Sequence, residues 1–567
     1  MQSQHAPLTD TPTPSWWKRH WPFLLILVAT AIAYSPLWSV EFSWDDEALV
    51  KDNQVTHTLK NMGEFFTRDL WSTTRLTDLT SGYYRPFMLV SLALDRALFG
   101  LHAGWAHFHS LLWHLAAVSA LYAILHRLFA TPAALAGTAL FALHPVNSEV
   151  MALVAARNDS MAAALVLLSI FLLLEKDVRP AQLVGAGVAA LAALLSKESA
   201  VLAPLMLLAL DIARWHKPGP WRRYIPLGGA LGMYAGMRSW AGINHGIVPA
   251  DGNLSLVMEH APEMLSLYGQ LLVWPWPLTP ARHIYYLPSV GQTLLGALIT
   301  LGIVGTLLKK GAHRGLVLGG LTWTILTFAP SLAATLDKGL LGERYLYLPI
   351  AGLGLALAAA IRTIPKWPIV FLSASAVLVL QIRLPDWQDS RAVWARAHQD
   401  APSPYTAAGL AWYLHRDKDT EEAIALFTMA LEGNPPYRDV CDLIVSAHLE
   451  IKEAKKAAEI GAWAIDERGC PTQGLIVNHT AVALAGIGQW DAAAKRAASH
   501  PRGVHGPGLV VVAAAQATKG DFATMKRMMA QNPSDQTFGA RVAKLLRLGG
   551  ANAASQQVVL MAREGAH

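Results

Sequence analysis

Residues 21–40 read WPFLLILVATAIAYSPLWSV, and residues 41–47 read EFSWDDE. The first stretch carries no charge over the roughly 20 residues that a membrane-spanning helix needs. The second sets Trp44, Asp45, Asp46 and Glu47 directly against its end. Comparable apolar runs follow at 105–126, 131–145, 159–174, 180–195, 198–213, 224–241, 289–308, 315–333, 344–361 and 367–383. The usual length rule makes these about eleven spanning helices. Lys18/Arg19, Arg127, Lys176/Arg179, Arg214/Lys217/Arg222/Arg223, Lys309/Lys310/Arg314 and Arg362/Lys366 fall in alternate loops. Positively charged loops stay on the cytoplasmic side, so the N-terminus is expected inside and the C-terminal part outside.

Two apolar stretches do not fit as spans. Residues 86–99 carry Asp95-Arg96 in their middle, and charge at the bilayer centre is costly, so an interfacial or half-buried helix is expected. Residues 262–278 end in Trp274-Pro275-Trp276-Pro277, and counting them as a span would break the charge alternation. They are expected to lie re-entrant or interfacial on the outer face. Of the 567 residues 53% are hydrophobic, which excludes an average soluble protein. The formal charge of +6 sits in the loops between apolar runs; no basic stripe with interleaved aromatics points to nucleic acid. Residues 1–20 are polar and Pro-rich, with no small-residue cleavage site after the first apolar run. They are expected to form a cytoplasmic tail, and the first helix a retained anchor.

After about residue 384 the apolar runs vanish and helical hairpins with alanine at packing positions begin. Residues 404–435 fit a divergent tetratricopeptide repeat through Leu410, Ala423, Phe427, Ala430 and Pro435. Weaker copies are expected at 438–468, 474–498 and 508–530. The expected organisation is therefore all-α: a tail (1–20), a transmembrane domain (21–383) and an extracytoplasmic repeat domain (384–567) that stacks into an α-solenoid with a concave face for a protein partner. Cys441 opens the first helix of the second repeat and Cys470 follows its second helix. Whether they pair depends on a Cα separation that sequence does not supply. The sequons at Asn253 and Asn478 read as chance matches.

Every conspicuous polar motif ends an apolar run, and threading puts all of them opposite the cytoplasm. They are Trp44-Asp45-Asp46-Glu47, Tyr84-Arg85-Pro86, His144-Pro145 to Glu149, Arg157-Asn158-Asp159, Ser196-Lys197-Glu198, Arg282-His283 and Glu343-Arg344-Tyr345. A carboxylate near the membrane surface beside another acid has a raised pKa and suits a general base, so Asp45 or Asp46 is the expected catalytic residue. The same acids are also compatible with a divalent cation. Arg85, Lys197, Arg282 and Arg344 supply the cations that a lipid-linked phosphate requires. Glu47, Tyr84, His144, Glu149, Arg157, Asp159, Glu198, Glu343 and Tyr345 are expected to support them. The plain alternative for Lys197-Glu198 and Glu343-Arg344 is mutual neutralisation of adjacent residues. His107 and His114 lie seven residues apart, not at the i, i+4 spacing usual for a helical metal pair, and read as buried, hydrogen-bonded histidines.

Taken together, Trp44-Asp45-Asp46, Tyr84-Arg85-Pro86, Leu143-His144-Pro145-Val146 with Glu149, Arg157-x-Asp159, Lys197-Glu198 and Glu343-Arg344-Tyr345-Leu346-Tyr347-Leu348-Pro349, followed by tetratricopeptide repeats, resemble a known family. It is that of the transmembrane tetratricopeptide-repeat O-mannosyltransferases acting on cadherins and their bacterial relatives, in the GT-C glycosyltransferase superfamily. The resemblance covers about residues 21–435. His144-Pro145-Val146-Asn147-Ser148-Glu149 and Arg157-Asn158-Asp159 depart from the family's His-Pro-Val-His-Thr-Glu and Arg-Ala-Asp. The resemblance implies inverting transfer of a mannose-like hexose from a polyprenyl-phosphate carrier to Ser/Thr hydroxyls of extracytoplasmic proteins. It maps the catalytic acid to Asp45 or Asp46. The short loops and Ala/Leu-rich helices suit a bacterial inner membrane, with the site and the repeats facing the periplasm. A lipid-linked glycan ligase and a non-enzymatic, membrane-anchored repeat scaffold for envelope assembly are the alternatives.

Overall fold

The computed structural model describes residues 16–74, 81–243, 258–284, 287, 289–309, 313–361, 366–433, 437–472, 475–501, 503–531 and 537–564. Asn253 and Pro435 lie outside them. Among the described residues the chain is helical, with one isolated antiparallel bridge between His283 and Leu340. It divides into two compact units, Met1–Arg396 and Ala397–His567.

Each apolar run of the first unit becomes a helix, including Trp16–Ala33, Ala103–Leu128, Thr131–Leu143, Arg157–Leu172, Pro180–Leu194, Ala203–Trp215, Ile225–Trp240, Arg314–Lys338 and Tyr347–Ala360. Among the described residues, three stretches are long and apolar enough to cross a membrane: His20–Ser39, Ala103–Leu128 and Val154–Leu172. Thr131–Leu143 and Pro180–Leu194 are apolar but shorter. Tyr347–Ala360 is the packing centre, against both Arg314–Lys338 and Thr131–Leu143. Small residues allow this: Gly354 meets Gly137 and Gly352 meets Gly320, and a Cβ at any of the four would strike the facing backbone.

Pro86–Phe99 is a helix of 14 residues, and its Asp95 is buried. The charge is tolerated because Arg157 Nη2 lies 2.6 Å away and His109 Nδ1 2.5 Å away. The Trp-Pro segment is the helix Ala261–Val273 followed by irregular chain. The first unit ends later than residue 383. Leu384, Trp387 and Val393 are fully buried in its core, and Gln388 bonds Ser39 and Glu41.

Among the described residues the second unit holds five helical hairpins, one more than the sequence shows. They are Pro404–Arg416 with Thr420–Glu432, Cys441–Glu450 with Ala454–Asp466, Ile476–Gly486 with Trp490–Ala498, Pro507–Thr518 with Phe522–Ala530, and Phe538–Leu548 with Asn552–Glu564. One turn recurs in all five. Lys418, Lys452, Gly488, Gly520 and Gly550 each adopt positive φ. The next N–H bonds back to a carbonyl five residues earlier: Asp419 to Leu414, Glu453 to His448, Gln489 to Leu484, Asp521 to Gln516 and Ala551 to Leu546. This helix C-cap satisfies otherwise orphaned carbonyls. Leu410, Ala423, Phe427 and Ala430 are buried, as their repeat positions require. Asn478 is fully buried within a helix, so its sequon cannot present a side chain for glycosylation.

Cys441 and Cys470 form a disulfide with Cα atoms 6.0 Å apart and 29 residues of separation. Closing a loop of this size restricts the unfolded chain, a stabilisation of about 3.6 kcal/mol. Reduction, or Cys441→Ser with Cys470→Ser, is expected to lower the thermal midpoint of the second unit, measured by circular dichroism.

Candidate active site

Asp46 and Asp45 have different surroundings although they are neighbours. Asp46 is fully buried, and its two carboxylate oxygens accept the N–H groups of Val154 (3.0 Å) and Ala155 (2.6 Å). Those N–H groups belong to the turn Val154–Ala156 that leads into helix Arg157–Leu172, so Asp46 caps that turn. Burial pushes its carboxyl up to about 7. With both oxygens engaged, Asp46 is a poor metal ligand. Among the described residues no group of three or more His, Cys, Asp or Glu side chains is arranged to hold a metal. Asp45 is half-buried and lies in the electrostatic field of Arg344. Trp44, just before it, has φ +52°, a conformation that costs a side-chain-bearing residue about 1–2 kcal/mol. Its ring lies 5.7 Å from the Arg344 guanidinium.

The expected cations are brought together by ion pairs that cross between elements. Arg85, which precedes helix Pro86–Phe99, donates to Glu198 through Nε (2.9 Å) and Nη2 (2.8 Å) and stacks on Tyr83 at 4.3 Å. Glu198 also accepts the Tyr84 N–H. Lys197 Nζ lies 2.5 Å from Asp159, in the first turn of helix Arg157–Leu172. Arg344 grips Glu149 through its backbone N–H (2.8 Å) and Nη1 (3.0 Å). So Lys197-Glu198 and Glu343-Arg344 do not neutralise themselves; each member pairs with a different segment. Lys197 is extended (φ −157°, ψ +138°), which sends adjacent side chains to opposite sides.

Arg85, Lys197, Asp159, Arg344 and Asp45 form one coupled set. Arg85 and Lys197 each feel Asp159, Lys197 feels Arg85 and Arg344, and Arg344 feels Asp159 and Asp45. Burial lowers the Lys197 pKa against the pull of Asp159. The side chains of Arg85, Lys197 and Arg344 keep 12%, 16% and 19% of their surface exposed.

Other expected site residues serve the frame. Arg157 is fully buried, bonded to Asp95, Ser91, Ser110 and the Ala106 carbonyl, away from the Lys197 set. Glu343 holds Arg383 (3.3 Å) and the Thr279 N–H (2.5 Å), and burial raises its carboxyl to about 7. Arg282 lies in the field of Glu343 and Tyr268. Tyr84 is fully buried and donates its hydroxyl to the Phe66 carbonyl. His144 accepts from Val146 N–H and faces the Leu272 carbonyl (3.2 Å), fixing the turn before Glu149. His107 and His114 are buried and hydrogen-bonded, His114 to the Tyr347 hydroxyl at 2.6 Å. The sequence did not single out Arg383, which also pairs with Asp386 (2.9 Å), or Ser390, which bonds the Trp44 N–H and Glu47. A lone arginine at the end of an apolar run signals a buried carboxylate partner, and Arg383 was such a residue.

The family described as dolichyl-phosphate-mannose-protein mannosyltransferase matches residues 86–236, a stretch that holds Glu149, Asp159, Lys197 and Glu198. The chain resembles the protein O-mannosyltransferases. Protein O-mannosyl-transferase Tmtc2 of Drosophila melanogaster is 30% identical over 184 residues, covering 30% of this chain and 20% of that protein. Human protein O-mannosyl-transferase TMTC3 is 26% identical over 141 residues, 25% of this chain and 15% of that protein. The chain thus matches about a fifth of the length of these O-mannosyltransferases. ArnT from Cupriavidus metallidurans, solved bound to undecaprenyl phosphate, superposes over 80% of this chain and 81% of that one at 16% identity and a TM-score of 0.39.

Proposed function

We propose that this chain is a membrane glycosyltransferase of the GT-C type. It moves a mannose-like hexose from a polyprenyl-phosphate carrier to Ser/Thr hydroxyls of extracytoplasmic proteins. One observation carries the reading: a half-buried acid, Asp45, stands in the field of Arg344, which is coupled to Lys197 and through it to Arg85. A base beside a set of partly exposed cations is what attack on a sugar phosphate needs. Asp45 takes the acceptor hydroxyl proton as the oxygen bonds to the anomeric carbon. The bond from that carbon to the phosphate oxygen breaks, and the electron pair leaves on the phosphate. Arg85, Lys197 and Arg344 stabilise the charge that accumulates there. A single displacement inverts the anomeric centre, unlike the two-step route of retaining glycosidases.

The hairpins of the second unit are suited as tetratricopeptide-type repeats to hold the acceptor protein. The Cys441–Cys470 disulfide supports an oxidising, extracytoplasmic location, such as the periplasmic face of a bacterial inner membrane. The test is mass spectrometry of extracytoplasmic proteins from wild-type cells and from cells carrying Asp45→Asn. Hexose-bearing Ser/Thr peptides are expected to disappear in the variant. An unchanged glycoproteome, with the variant at normal abundance, would favour glycan ligation or the scaffold.

A further inference from the structure

The acid loop has bonds of its own, Asp46 N–H to the Ser43 carbonyl and Glu47 N–H to the Trp44 carbonyl, but its strained residue is also held from a distant segment. Trp44 sits at φ +52° just before Asp45, in a region that side-chain-bearing residues leave unless other contacts keep them there. The holding contact comes from Ser390, which is 2% exposed. Its Oγ accepts the Trp44 N–H at 2.9 Å and donates to Glu47 Oε1 at 2.8 Å. One hydroxyl thus ties the residue before Asp45 to a residue just after it, a double role that needs a donor and an acceptor on one atom. The Trp394 ring packs 5.2 Å from the Trp44 ring. Rungs further back fix the register: Gln381 to the Ala33 carbonyl, Gln388 to the Ser39 carbonyl, and Glu41 N–H to the Gln388 carbonyl.

We propose that Ser390 is a positioning residue for the catalytic acid: it clamps the left-handed turn at Trp44 and so aims Asp45. The catalytic part of the claim rests on the proposed glycosyl transfer; the clamp does not. The test uses the full chain with two readouts. The first is transfer from a radiolabelled polyprenyl-phosphate mannose to extracytoplasmic protein. The second is the reactivity of Ala48→Cys toward a membrane-impermeant maleimide, which is specific because Cys441 and Cys470 are disulfide-bonded.

Ser390→Ala is expected to lower kcat about 10²-fold with the donor KM unchanged, as misplacement of a reacting group does. It is also expected to raise Ala48→Cys labelling several-fold, on the order of the loss of one buried anchor. Ser390→Thr, which keeps the hydroxyl, restores both. Unchanged labelling in a folded Ser390→Ala protein overturns the clamp. Faster labelling with full transfer overturns the positioning role. If the wild type transfers no sugar while labelling still rises in Ser390→Ala, the clamp stands and the glycosyltransferase reading fails.

Discussion

Asp45→Asn is expected to abolish sugar transfer while leaving the protein at wild-type abundance; Asp46→Asn is expected to do the reverse. A positioned general base contributes about 10²–10⁴-fold, so the Asp45 variant should lose at least that factor in kcat, measured with a labelled donor. Its side chain is half-buried and its contacts are electrostatic, so the fold has little to lose. Asp46 is the opposite case. An asparagine there keeps one acceptor and turns the other into a donor facing a backbone N–H, a loss of about 1–3 kcal/mol. Thermal melting would report it.

The pH dependence of stability separates the two acids further. The Asp46 carboxyl is held at about 7, above the ordinary 3.8. Between those values the folded protein keeps a proton that the unfolded chain releases, so this group's contribution is present at low pH and is lost as pH rises toward 7. Glu343 adds a slope of the same sign. Asp46→Asn removes its own share, and a melting profile between pH 4 and 7 that matches the wild type would show that Asp46 contributes no such slope.

The second large effect is at Arg85. Arg85→Met is expected to raise the donor KM about 10–100-fold, the equivalent of one charge-assisted hydrogen bond to a phosphate. Arg85→Lys should recover little, because an ammonium cannot reproduce the two-nitrogen grip on Glu198 or the stacking on Tyr83. Steady-state kinetics with varied donor decides it. An unchanged KM would leave Arg85 as a strut for Glu198 alone.

How legible these roles were depends on how far apart the interacting residues lie. The helices were readable because an apolar run and its capping charges are local signals. The hairpins were readable wherever alanine spacing repeated, and the fifth escaped because its first helix, Phe538–Leu548, carries Arg541, Lys544 and Arg547 among its apolar positions. The eleven expected spans are all helices, yet length and apolarity alone qualify only three of the described stretches as able to cross. Thr131–Leu143 and Pro180–Leu194 are apolar but shorter than that rule asks.

The charge partners were not legible. Lys197 finds Asp159 across 38 residues, Arg85 finds Glu198 across 113, and Arg344 finds Glu149 across 195. Adjacent opposite charges suggested self-neutralisation, but the extended backbone at Lys197 sends neighbouring side chains apart, and Glu343 and Arg344 pair with Arg383 and Glu149 instead. The sequence alone determined that the chain is helical, apolar and punctuated by polar motifs at helix ends, because those properties follow from composition and period. Only the tertiary structure decided which acid is engaged and which is available, and that Ser390 reaches back across 346 residues to Trp44. Burial and hydrogen-bond satisfaction are set by whichever segments fold against a residue, and neighbours in sequence do not specify them.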